Sequence, residues 1–407
     1  MDTIDLSETG EKYLRRLCLE IPTRRVGSEG NRKATDFWAE VVASFGFQIE
    51  SPSFACIDWT QNGAQLTIGG EPFEVLVSSY SLGCHVAGLL TVVSTVEELE
   101  AINISNKIVL LRGDIAREQL MPKDFPFYNP DEHKRIIHLL ETKEPRAIVA
   151  ATSRDPALAG GMYPFPLIED GDFDIPSVYM TDREGDRLAT YAGSLISLEI
   201  KAERIPASGC NVIARKGADP KRRVVLFAHI DAKDNTPGAI DNAAGAVVLL
   251  LLAELLADYS GSLGLEMVAL NGEDYYNAPG EQQYVRLNAG RFTEIILGVN
   301  IDAAGYVQGD TAYSLYDCPP HITGLIRQVF AAPQDMIEGE QWYQSDHGLF
   351  IQHHRPALAI TSERFMELTT YITHTPRDSP EIVDMNKLVS IALALRDLLL
   401  SLNRYLS

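Results

Sequence analysis

The chain has 407 residues, 45% of them hydrophobic, enough to bury a large core and more than one ordinary domain needs. Its 56 acids against 35 bases leave a formal charge of -21, a field that repels nucleic acid and anionic membrane while attracting divalent metals and ammonium groups such as a peptide's amino terminus. No run of about 18 apolar residues exists to span a membrane. The start, Met1-Asp2-Thr3-Ile4-Asp5, is acidic where a secretory signal is basic and then apolar. Cys18, Cys56, Cys84, Cys210 and Cys318 are scattered and form no CxxC pair, which fits reduced thiols in a cytoplasm.

In chain order, Ala34, Phe37, Trp38, Val41, Val42 and Phe45 recur at helical spacing ahead of Gly46, predicting an amphipathic helix over residues 31–45 with a glycine stop. From about residue 58 to residue 193 the pattern changes to short β-like runs at 86–93, 107–111, 147–151 and 175–180. Gly160-Gly161 and Pro164-Phe165-Pro166 punctuate them. Residues 222–231 are a continuous apolar run that ends in polar residues, a buried parallel strand delivering His229 at its carboxyl end. Asp241 follows at the start of an apolar helix, residues 246–256.

The strand predicted at 263–270 ends in Asn271-Gly272-Glu273-Asp274, and another run, 294–299, leads to Asp302. A last strand, 356–361, precedes the loop that carries His374, and an apolar helix over 386–402 closes the core. Strand ends of an open α/β sheet converge on one crevice, where ligands bind. A catalytic zinc takes about three imidazole or carboxylate ligands and keeps a position for water. Two ions about 3.5 to 4 Å apart share a carboxylate, acidify a water and hold a carbonyl. His229, Asp241, Asp274, Asp302 and His374, one of them shared, supply three ligands per ion, and Glu273 is the carboxylate left to take the water's proton.

The ordered pieces His229-Ile230-Asp231, residues 238–245, Glu273-Asp274, Asn300-Ile301-Asp302, Ser345-Asp346-His347 and His374-Thr375-Pro376-Arg377-Asp378 resemble the co-catalytic zinc aminopeptidases, with the glutamate carboxypeptidases and, more distantly, the glutaminyl cyclases. The resemblance implies an α/β zinc exopeptidase fold, a mixed and mostly parallel sheet flanked by helices. It further implies that Asp241 bridges two zinc ions, one completed by His229 and Asp302, the other by Asp274 and His374. Glu273 would be the general base, Asp231 would orient His229, and the Asp241-Asn242 bond would be cis. Most relatives have Glu where Asp274 stands, and Thr373 occupies a place some relatives give to an oxyanion tyrosine, leaving Tyr343 or Tyr371 as candidates.

Arg24-Arg25-Val26-Gly27-Ser28-Glu29-Gly30 is similar to the family's lead-in loop, and the stretches 107–113 and 174–178 make the middle region resemble a protease-associated domain. The implied organisation is an N-terminal part of the catalytic domain at 1–57, the insert at 58–193 and the remaining catalytic domain at 194–407. The implied activity is removal of N-terminal residues from peptides through a hydroxide bridged by two zinc ions. Alternatives are a glutaminyl-cyclase-like acyltransferase with one zinc, or a non-catalytic binding protein on a peptidase scaffold. Ser345-Asp346-His347 reads as a loop brace and pocket wall. Glu281 reads as a solvated loop acid, and His133, His138, His353 and His354 as structural or solvated. Oligomeric state is left open by the sequence.

Overall fold

Along the strand Asp219–His229, Val224, Leu226 and Ala228 enter one hydrophobic cluster while Val225 and Phe227 enter another. Successive side chains of a strand point to opposite faces, so a run that is apolar at every position belongs to a sheet covered on both sides. In the computed structural model, which describes residues 3–21, 23–154 and 162–406, this strand is central to an eight-stranded sheet. The order is Gln48–Glu50, Val212–Lys216, Leu263–Leu270, Asp219–His229, Ile295–Ile301, Ala357–Ser362, Thr311–Tyr316 and Met336–Glu338. The four strands that carry or precede the candidate site run parallel, with His229 opposite Leu270, Phe227 opposite Asn300 and Ile301 opposite Ile360. Their polar tips therefore emerge side by side.

One face is packed by the helices Thr3–Arg15, Glu29–Ser44, Ala244–Leu255, Pro320–Phe330 and Met385–Leu406. Residues Ala244 through Ala253 are all buried, which suits a helix apolar all round. The predicted helix at 31–45 is observed as Glu29–Ser44, begun by Ser28, whose hydroxyl accepts the Asn31 amide at 3.0 Å. The opposite face is covered by Tyr284, Phe292, Trp342, Leu349 and Phe350.

The chain divides into two units, Met1–Cys56 with Ser208–Ser407, and Ile57–Ala207. The second unit has its own eight-stranded sheet, ordered Glu71–Phe73, Ser53–Ile68, Leu195–Cys210, Cys84–Val93, Ile108–Leu111, Ala147–Thr152, Ser177–Thr181 and Leu76–Val77. That sheet takes in Leu195–Cys210, residues that the sequence reading assigns to the catalytic part. It also carries helices that the β-like reading does not foresee, among them Asp131–Lys143, which buries His133, Ile136, Ile137 and Leu140 at helical spacing. His133 is a structural residue there, its Nδ1 accepting the Met121 amide at 3.1 Å. Gly160-Gly161 lie outside the described residues, and the Tyr163-Pro164 bond is cis.

No helix among the described residues is long and apolar enough to cross a membrane. All five cysteines are free thiols.

Candidate metal centre

His229 is the last residue of its strand and is fully buried, yet among the described residues neither ring nitrogen has a hydrogen-bond partner of acceptable geometry. Instead Nε2 faces Asp241 Oδ1 at 3.0 Å and Asp302 Oδ1 at 3.6 Å. The other oxygen of Asp241, Oδ2, lies 3.1 Å from His374 Nε2, which is also 3.1 Å from Asp274 Oδ1. The five sequence-predicted residues are thus brought together as two sets, His229-Asp241-Asp302 and His374-Asp241-Asp274, that share Asp241 through different oxygens.

Asp302 and Asp274 each have their second oxygen occupied. Asp302 Oδ2 accepts from the Ser345 hydroxyl at 2.5 Å, and that hydroxyl accepts from Asn300 Nδ2 at 2.8 Å. Asp274 Oδ2 accepts the Lys233 amide at 3.2 Å. These bonds leave Oδ1 of both residues turned toward the imidazoles.

Asp241 is held by backbone. The segment Ala239–Ala243 is a tight turn in which Asp241 and Asn242 are non-helical, so the regular helix begins at Ala244, three residues later than a start at Asp241. The Asp241-Asn242 peptide bond is cis. Asp378 Oδ1 and Oδ2 accept the amides of Ile240 at 2.6 Å and Asp241 at 3.1 Å. Asn242 donates to the Ile301 carbonyl at 2.8 Å and accepts the Gly245 amide at 3.0 Å, and a Cβ on Gly245 would meet that carbonyl oxygen at 2.5 Å. Glycine is therefore required where the turn meets the Asp302 strand.

Asp231 accepts the amides of Gly272 at 2.9 Å and Asp274 at 3.0 Å, with His229 Nδ1 3.5 Å from its Oδ1. It thus ties the turn bearing Glu273 and Asp274 to the His229 loop. Burial alone would lower the His229 pKa, but Asp231, Asp241 and Asp302 outweigh it and hold the ring well above its ordinary value. Burial pushes the Glu273 carboxyl well above the carboxylate range, with Asp274 and Asp302 adding to the rise against the His229 ring. Burial likewise pushes Asp346 up to about 8 and Asp378 up to about 7.

Glu281 is not a solvated loop acid. It is 4% exposed, in the helix Pro279–Leu287, because that helix packs its first turn inward. His347 is buried, with Nε2 2.7 Å from the Trp342 carbonyl oxygen, and Trp342 packs on Phe365. His353 stacks on Phe292 at 3.6 Å. Tyr343 and Tyr371 are exposed at 62% and 44%, open to solvent rather than locked in the core.

The donor set suits zinc: two imidazole nitrogens and three carboxylates, with oxygen and nitrogen atoms of His229, Asp241 and Asp274 all within 4.8 Å of one another. Three carboxylates so close repel one another, and cations between them would relieve that repulsion.

The sequence profile of Peptidase family M28 matches residues 211–399. The probable lipoprotein aminopeptidase LpqL of Mycobacterium tuberculosis is 23% identical over 292 residues, 69% of this chain and 54% of its own. The chain thus spans about half the length of that relative. The fold is similar to the aminopeptidase from Aneurinibacillus sp. strain AM-1, with TM-score 0.74 and 22% identity over 97% of this chain and 93% of that one. It is equally similar to BSAP, a zinc aminopeptidase from Bacillus subtilis, with TM-score 0.74 and 17% identity over 97% and 94% of the two chains. The strand-end ligand pattern and the match to Peptidase family M28 thus fall on the same stretch, residues 211–399.

Proposed function

We propose that this chain is a zinc-dependent aminopeptidase that holds two ions and removes residues from the amino terminus of peptides. The observation that carries the reading is the division of Asp241, one oxygen toward His229 and the other toward His374. A single-ion centre of the glutaminyl-cyclase kind would leave one of these two sets without a role, so the geometry favours two ions. Retention of every ligand type together with Glu273 favours catalysis over a non-catalytic scaffold.

Zinc bound in these sets would polarise the scissile carbonyl and make a water nucleophilic near neutral pH. His229 with Asp302, and His374 with Asp274, would hold the ions, and Asp241 would fix their separation. Glu273, beside Asp274 in sequence but outside both sets, takes a proton from the attacking water as its oxygen bonds to the carbonyl carbon. As the carbon–nitrogen bond breaks, Glu273 returns that proton to the departing amine, so water is consumed and the carboxyl and amine products balance. The substrate's free α-ammonium suits the anionic surroundings of the site.

We also infer that the unit Ile57–Ala207 is a protease-associated-like domain, on the strength of its strands Ile108–Leu111 and Ser177–Thr181 at the resembling stretches. The five free thiols support a reducing, cytoplasmic setting. The test is elemental analysis of zinc per chain, paired with hydrolysis of one peptide in free and N-acetylated forms. Two ions, and cleavage of the free form alone, are expected. One ion after saturation, or equal cleavage of both forms, overturns the reading.

A further inference from the structure

We infer that Arg24, which lies outside the family-matched residues, is a positioning residue that sets the three ligand-bearing loops of the centre at once; this rests on the two-ion reading above. Arg24 is 2% exposed, and its guanidinium donates four hydrogen bonds to backbone carbonyls among the described residues. Nε donates to Ile230, the residue after His229, at 2.9 Å. Nη1 donates to Pro237 at 2.8 Å and Nη2 to Gly238 at 2.7 Å, at the entry to the Asp241 turn. The remaining bond, Nη1 to Leu17 at 3.0 Å, anchors the group to the N-terminal segment.

The third loop is reached through the Arg24 backbone. Its carbonyl accepts from Asn31 Nδ2 at 2.9 Å, and Asn31 pairs reciprocally with Asn271, Nδ2 to Oδ1 at 2.9 Å and back at 3.0 Å. Asn271 stands two residues before Glu273. Both asparagines are fully buried, so the link is shielded from water.

The fit around the Asp241 turn is close. Gly238 has φ +58, and a Cβ there would meet Arg24 Nη2 at 2.7 Å and the Asp241 carbonyl oxygen at 2.6 Å. Arg24 draws on the carbonyls entering the turn while Asp378 draws on the amides of Ile240 and Asp241 within it, so the turn is gripped from both polar sides of its backbone. A planar fork with five fixed donors can address carbonyls from separate segments simultaneously, which the three donors of a lysine ammonium on a single atom cannot. Without the fork the buried Ile230 carbonyl loses its Arg24 donor and the Gly238 carbonyl keeps only the Ala243 amide, so the loops carrying His229 and Asp241 lose their common reference.

The test compares full-length wild type, Arg24→Lys and Arg24→Ala, with Arg223→Ala as a control for loss of a buried arginine. Arg223 is 3% exposed at the opposite end of the His229 strand, bonded to Glu294 and Asn288. Zinc affinity is measured by chelator competition alongside circular dichroism, with and without guanidinium at sub-denaturing concentration. Folded Arg24 variants with zinc affinity reduced by about 10- to 100-fold are expected, Arg223→Ala keeping wild-type affinity. Guanidinium is expected to restore affinity to Arg24→Ala and to leave the control unmoved.

Arg24 variants that bind zinc as wild type does overturn the inference and leave the two-ion reading standing. Failure of both Arg24 variants to fold while Arg223→Ala folds makes Arg24 a general scaffold residue and also overturns it. A wild type that takes up no zinc overturns the reading and the inference together.

Discussion

The two halves of the candidate centre are built differently. His229 and Asp302 come from the ends of neighbouring structures in the central sheet, His229 fully buried and Asp302 braced by Ser345. His374 sits in a loop after the short helix Phe365–Tyr371, with φ +62 and a side chain 43% exposed. Its partner Asp274 is held by single amide contacts, from Lys233 and through Asp231. A ligand on a sheet is positioned by the whole core, whereas one on a loop is positioned by a few local bonds, so the His229 half should be the more rigid and the tighter for metal.

The largest effect should come from removing what the halves share. Asp241→Ala is expected to abolish retention of both ions and lower kcat/KM on the order of 10,000-fold, read by elemental analysis and peptide hydrolysis. Retention of one tightly held ion would show that the halves are independent. Next, Glu273→Gln should cut kcat by about 100- to 10,000-fold while leaving both ions bound, because it lies outside both sets. Loss of zinc in that variant would instead make Glu273 a ligand.

A smaller effect separates the halves themselves. In a chelator titration of the wild type, the ion between Asp274 and His374 should leave first, at about 10-fold lower chelator concentration than the other. His374→Ala should remove that early phase alone, and release in one phase would break the comparison. The smallest effect is expected from Ser345→Ala, which frees Oδ2 of Asp302 and should weaken only the late phase, by about 10-fold. An altered early phase would place Ser345 in the wrong half.

How much of this was legible depends on the range of the interactions. The strands ending at His229, Leu270 and Ile301 were readable because a strand covered on both faces must be apolar throughout and turn polar where it leaves the core. The separation of Asp241 from its helix was not, since the turn at Ala239–Ala243 depends on amides taken up by Asp378, more than 130 residues away. Glu281 was misread for a similar reason: the polar residues around it resemble a loop, and only the packing of the helix Pro279–Leu287 buries it. The helix Asp131–Lys143 escaped notice because its buried residues are spaced among eight charged or polar neighbours outside the core, a weak local signal.

Which residue types stand at the strand ends, and in what order, can be read along the chain, because apolar periodicity and ligand chemistry are local properties. That Asp241 faces both histidines, that Ser345 reaches Asp302, and that Arg24 grips loops more than 200 residues distant is set by the folded chain. Such pairings depend on the parallel register of the sheet and on hydrogen bonds made across it, and neither is written in the spacing of any single segment.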